Sequence, residues 1–233
     1  MALTSDFETF ERGWAKGENQ VVYTRLAADL DTPVSLMLKL AAVDPNSFML
    51  ESVTGGELRG RYSVVGLKPD LIWQCHGAQS RINRLVQRDA TAFEALADHP
   101  LQSLRDLIAE SKITLPDDLP PVAAGLFGYL GYDMIRLVEH LPNVNPDPLG
   151  LPDAILLRPS VVAVLDGVKG EVTIVAPAWV QAGQTAAMAY AGAKAAVQSA
   201  LFDLEAAPNA PSRDFGTAAP VGLMRSNFTH QAY

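Results

Sequence analysis

The chain has 233 residues, of which 48% are hydrophobic, 19% charged and 7% aromatic, a globular composition that excludes a disordered or collagen-like chain. Asp and Glu total 26 against 18 Lys and Arg, and the net charge of −8 argues against a nucleic-acid binder, which needs a clustered basic surface. The length allows a core without disulfide staples, and the single cysteine, Cys75, cannot form an intramolecular bridge, which points to a reducing compartment. The polar, acidic start lacks the basic and apolar regions of a signal peptide, and no apolar run approaches the ~18 residues of a membrane span. The expectation is a cytoplasmic protein with no nucleic-acid or membrane partner.

In chain order, Ser5 and Glu8 form a capping-box pattern, and Phe7, Phe10 and Trp14 follow at helical spacing. A helix is expected over 6–16, closed by Gly17. Residues 20–26 have the β-branched and aromatic bias of a strand. Asp31, Thr32 and Pro33 cap a second, strongly apolar helix that runs up to Asp44. Residues 47–53 read as a strand, broken by Gly55 and Gly56. Residues 61–67 and 71–76 read as two further strands joined through Lys68, Pro69 and Asp70, an antiparallel meander.

Helices are expected over 92–97 and 101–112, interrupted at Pro100. Residues 122–132 read as a glycine-spaced strand and 134–140 as a short helix. Four prolines in 141–152 mark an irregular loop. Residues 154–165 and 171–175 form a hairpin around Asp166 and Gly167, and 185–205 a long alanine-rich helix. Residues 206–220 are rich in Pro, Ala and Ser and read as a linker. Thr229 then has the look of a cap for a helix with four residues left to it, too short to propagate, so a truncated chain is expected. The organisation expected is a domain over 1–205, a linker over 206–222 and the start of a further domain over 223–233.

Few residues advertise chemistry. Cys75 sits in an apolar strand pattern and reads as a small buried hydrophobe, with His76 on the opposite face. None of His76, His99, His140 and His230 pairs with another histidine at metal-ligand spacing, so no intrinsic metal site is expected. Gly125, Gly128 and Gly131 lack both the G-x-G start of a dinucleotide fingerprint and the G-K-[ST] end of a Walker motif. Their place inside a strand pattern favours close approach of another backbone. Asp117, Asp118 and Asp147 lie in proline-rich loops and read as solvated.

One stretch is more specific. Met49-Leu50-Glu51-Ser52, followed by Gly60-Arg61-Tyr62-Ser63-Val64-Val65-Gly66, resembles the L-L-E-S and G-R-Y-S-F-I-G signatures in the N-terminal part of anthranilate synthase large subunits (component I). Gly125 to Asp133 resembles a second signature of that family, G-x-x-G-Y-x-x-Y-D. The resemblance extends over residues 7–233.

The resemblance implies an enzyme that converts chorismate and ammonia to anthranilate and pyruvate in tryptophan synthesis. It implies a Mg2+ requirement and a glutamine amidotransferase subunit (component II) as ammonia source. In the family, the catalytic and Mg2+ residues lie in a C-terminal chorismate-binding domain. The implication is that this chain carries no catalytic residue and no metal ligand, and is inactive alone. The L-E-S stretch is where the family binds L-tryptophan as feedback inhibitor, and the matching residues are Leu50, Glu51 and Ser52, with Arg61 or Ser63 as a further donor. The other half of that pocket, an N-P-x-P-Y-M stretch, does not occur here. The large subunit of 4-amino-4-deoxychorismate synthase, a phenazine-type homologue and a stand-alone amino-acid-binding module remain as alternatives; isochorismate-type enzymes resemble the chain less. The fold expected is α+β: largely antiparallel sheets packed as a sandwich, with helices outside. An exposed apolar interface and oligomerisation are expected with it.

Overall fold

The computed structural model describes residues 3–41, 45–51, 60–142 and 146–205. The expected linker, the Thr229 cap and Ser52 lie outside the described residues. In chain order the elements are α1 (Phe7–Trp14), β1 (Gln20–Ala27), α2 (Pro33–Ala41), β2 (Phe48–Leu50), β3 (Tyr62–His76), β4 (Gln79–Asn83) and β5 (Glu94–Ala95). Then follow α3 (Pro100–Glu110), β6 (Phe127–Leu130), a 3-10 helix (Tyr132–Leu137), β7 (Ala154–Asp166), β8 (Glu171–Ala178) and α4 (Ala186–Glu205).

The described strands form one eight-stranded sheet in the order β1-β8-β7-β3-β4-β5, with β2 also pairing β3 and β6 also pairing β7. Every pairing is antiparallel. The helix-plus-antiparallel-sheet class is as expected; the described strands make a single sheet rather than the two of a sandwich. The reason is the length of β3 and β7, 15 and 13 residues. Paired along their whole course, they run through both halves of the molecule. One half is flanked by β2, β8 and β1, the other by β4, β5 and β6.

The two strands expected over 61–67 and 71–76 are therefore one. Pro69 faces Pro159 across the ladder, and neither can donate a backbone hydrogen bond. The pairing slips between Pro69 and Leu71, a bulge that absorbs the gap without ending the strand. Residues 92–97 do not form the expected helix. Glu94 and Ala95 instead pair with β4, and helix α3 starts at Pro100 with His99 Nδ1 accepting from Leu101 N. At the other end of the chain, Ser5 does not cap α1. Asp6 does, accepting from Thr9 N at 2.8 Å, while Ser5 Oγ bonds the backbone of Val21 and Tyr23.

Because side chains alternate along a strand, the sheet presents two apolar faces. Val65, Ala163, Val172 and Ile174 face α1, α2 and α4, whose Phe10, Leu36 and Val197 close this layer. Ala189, Ala193 and Ala200 are the small buried residues of α4 on the sheet. On the opposite face, Val21, Tyr23, Val64, Val162, Val164 and Val175 lie beneath an irregular strap over 113–123, with Leu119 and Ala123 buried in it. A third cluster around Leu71, Trp73, Ile82 and Leu107 fills the other half. Cys75 belongs to it, and burial, aided by Asp153, pushes its thiol up to about 11, so it is inert at neutral pH.

Two of the three spaced glycines have the structural role anticipated. A Cβ on Gly128 would lie 1.9 Å from the Ile155 carbonyl oxygen, and one on Gly131 2.7 Å from that of Asp153. These two glycines let β6 meet β7, whereas a Cβ on Gly125 would meet nothing within 4 Å. Just beyond β6, large apolar side chains stand in the open, Tyr132 at 86% and Leu149 at 76% exposure. Among the described residues no helix is long and apolar enough to cross a membrane.

Candidate functional site

Strand β2 ends on the face that the strap covers. Its anchor is Phe48, whose ring lies where a side chain of Gly66 would be: a Cβ there would come within 2.2 Å of Phe48 Cζ. The ring also meets Phe127, with centroids 4.9 Å apart. Gly66 thus opens the seat that fixes the register Phe48↔Gly66, Met49↔Val65 and Leu50↔Val64. From Leu50 a row crosses the sheet through Val64, Val164, Thr173 and Arg25, all in register. Leu50 is 53% exposed, an apolar side chain left open at the strand end. Glu51 follows it, exposed and unpaired among the described residues.

The other residues implicated by sequence go elsewhere. Arg61 Nε lies 3.0 Å from both carboxylate oxygens of Asp166, and its Nη2 lies 2.6 Å from Oδ2. Its guanidinium also sits 5.0 Å from the Tyr62 ring centroid. Ser63 is opposite Leu165 in the ladder, and Leu165 packs on the helix side of the sheet. The structure brings Leu50 together with Val64 and the strap face; it puts Ser63 on the other face and commits Arg61 to Asp166.

Asp166 clasps the end of the β7–β8 hairpin. Its Oδ1 accepts from Val168 N and Lys169 N, and Gly167 N donates to the Arg61 carbonyl at 2.9 Å. The Arg61 hydrogen bonds, with those two backbone donors, hold the Asp166 carboxyl below the usual carboxylate range. A depressed folded-state pKa stabilises the fold fully above the unfolded value of ~4, and the contribution fades as pH falls toward the folded value. The urea midpoint of Asp166→Asn should therefore lie below wild type at pH 7 and converge on it as the pH falls through the carboxylate range. A gap that stays constant between pH 7 and pH 3 would contradict this role.

A further cluster on the same face escaped sequence reasoning. Asp118 sits in an exposed turn, as expected, but it has partners: Tyr23 Oη donates to its carboxylate at 3.0 Å, and Arg25 Nη2 pairs with it at 2.9 Å and also donates to its backbone oxygen. Tyr23 and Arg25 lie more than ninety positions away, so no local pattern announces the contact. Among the described residues no group of three or more His, Cys, Asp or Glu side chains could hold a metal ion.

No protein-family model matches the chain. Anthranilate synthase component 1 of Cereibacter sphaeroides is 71% identical over 229 residues, 98% of this chain and 46% of that protein. The component 1 of Pseudomonas putida is 35% identical over 236 residues, 97% of this chain and 45% of the relative. The chain belongs to the anthranilate synthase component 1 family. It spans about half the length of the curated relatives it matches. The crystal structure of anthranilate synthase component I from Streptococcus pneumoniae matches with a TM-score of 0.51 at 21% identity, covering 80% of this chain and 38% of that one. At that identity the likeness is one of fold. The sequence match carries the family.

Proposed function

We propose that this chain is the N-terminal, tryptophan-sensing portion of an anthranilate synthase component 1. The enzyme would convert chorismate and ammonia to anthranilate and pyruvate, with a glutamine amidotransferase component II supplying the ammonia. The observation that carries this reading is the 71% identity to a component 1 across 98% of the chain.

Leu50, Glu51 and Ser52 are the proposed tryptophan contacts. A free amino acid needs an acceptor for its ammonium, donors for its carboxylate and an apolar wall. Leu50 offers an exposed apolar side chain, and Glu51 a carboxylate with no partner among the described residues. Tryptophan would then bias the equilibrium between two arrangements of the enzyme, which requires different affinity for the two. The catalytic groups and the Mg2+ ligands are assigned to the part of the family's length that this chain does not span. No described cluster fits a metal, so no step is routed through one.

The test is product identity. The native polypeptide with component II, given chorismate, glutamine and Mg2+, should form anthranilate, read by its fluorescence. Formation of 4-amino-4-deoxychorismate, or no product from chorismate, would overturn the reading.

A further inference from the structure

Exposed apolar side chains gather around β6. Leu130, Tyr132, Val138, Leu149 and Leu151 are each more than half exposed, and no other stretch of the described residues collects as many. Two backbone contacts hold their segments together. Tyr129 Oη donates to the Pro152 carbonyl at 2.8 Å, and Gly131 N to that of Asp153 at 2.7 Å. Strand β6 pairs with β7 on one side and, among the described residues, with no strand on the other. Its Phe-Gly-Tyr-Leu sequence has no lysine or proline to blunt that open edge. An apolar surface beside an unpaired strand edge invites aggregation unless something covers it.

A second copy of this face would meet like charge. Asp133, Asp147 and Asp153 line a cleft beside the apolar residues, and Arg136, paired with Asp133 at 2.7 Å, is its only basic side chain. Two such faces brought together repel. The continuation of the polypeptide meets no such obstacle. The component 1 that is 71% identical matches over 46% of its own length, so more than half of it lies outside the matched part. That half is covalently joined, which sets an effective concentration on the order of millimolar without any encounter. We propose, on the reading of this chain as the N-terminal portion of a component 1, that the remaining half of the same polypeptide packs on this face. Its apolar side chains lie against Tyr132, Leu149 and Leu151, and its lysines or arginines stand beside the acidic cleft. The face is separate from the strand end: Leu130 pairs with Ala154, ten positions along β7 from Val164 in the Leu50 row, roughly 33 Å at ~3.3 Å per residue.

The test is hydroxyl-radical footprinting of the native polypeptide without component II, read by mass spectrometry. Tyr132 stands 86% exposed here. In the native polypeptide it should be oxidised about fivefold or more slowly than a free peptide of its own sequence in the same solution, whatever the protein concentration. Replacing Leu149 and Leu151 together by aspartate should return Tyr132 to near the peptide rate. Both leucines are exposed in this half, so its own fold is expected to survive the change. Oxidation of wild-type Tyr132 at the peptide rate would overturn the inference. So would protection that appears only when component II is added, or only as the protein concentration rises, because the occupant would then be the partner subunit or a second copy. Anthranilate formation by the same protein reports separately on the reading of the chain as a component 1.

Discussion

Replacing Arg158 by alanine should cost about 3–5 kcal/mol, the largest loss of stability expected from any single side chain here. Arg158 is 3% exposed, a cation taken out of water. Its Nε and Nη2 grip the Asp70 carboxylate at 2.9 and 2.6 Å. Its Nη1 donates to Glu110 at 3.1 Å and Ser111 at 3.3 Å, and its guanidinium lies 4.5 Å from the Trp179 ring centroid. The planar fork satisfies the bulge of β3, the end of α3 and the residue after β8 together. Truncation leaves Asp70 without its partner and Glu110 dependent on Arg84 alone.

A loss of that size corresponds to a fall of roughly 10 °C in Tm for a domain of this length. Lysine should not rescue it, since a point charge cannot reproduce the bidentate grip. A double-mutant cycle with Asp70→Ala should give a coupling of about 0.5–3 kcal/mol. Exposed Arg105→Ala provides the reference and should fall within about 0.5 kcal/mol of wild type. An equally small change for Arg158→Ala would mean that the guanidinium is not what holds these elements together.

The second large effect is functional. Ser52→Phe should raise the tryptophan concentration for half-inhibition by about tenfold or more, as loss of a hydrogen bond and a steric block require. It should leave kcat and the chorismate KM of the uninhibited enzyme largely unchanged. Linkage explains the separation: an effector whose affinity is removed can no longer shift the equilibrium, while the equilibrium without effector stays where it was. Glu51→Gln should act in the same direction, since it removes the carboxylate proposed to meet the ammonium. An inhibition curve that does not move in the Ser52 variant would remove the strand-end site from the account.

Much of the fold could be read from local chemistry. The hairpin around Asp166 and Gly167, helix α4 behind Thr185 and the close approach at Gly128 all follow from residue types at fixed offsets. The misreadings have physical causes. Pro69 looks like the end of a strand, because the cue is a missing donor; the facing Pro159 lies 90 positions away, and the bulge after Pro69 that accommodates both exists only in the pairing. Strand β4 is only five residues long and offers one large apolar side chain, Ile82, too little for a period to be visible. Residues 92–97 carry helical residue types but are short, and β5 forms where the edge of β4 is free to pair.

The candidate site was legible as a motif and not as a geometry. Leu50, Glu51, Arg61 and Ser63 are near one another in sequence, but strand parity and register decide what they can share. Ser63 is one position from Val64, the partner of Leu50, and that single step puts it on the helix side of the sheet. Arg61 looks like a free donor until the hairpin returns Asp166 to it from 105 positions away.

The measurement that bears most directly on the central claim is the tryptophan response of anthranilate formation by the native polypeptide with its amidotransferase partner. The account predicts that L-tryptophan suppresses turnover at a site remote from the chemistry, and that chorismate correspondingly weakens tryptophan binding by the same factor. Turnover that is indifferent to saturating L-tryptophan would contradict the assignment of this chain as the sensing portion of the enzyme.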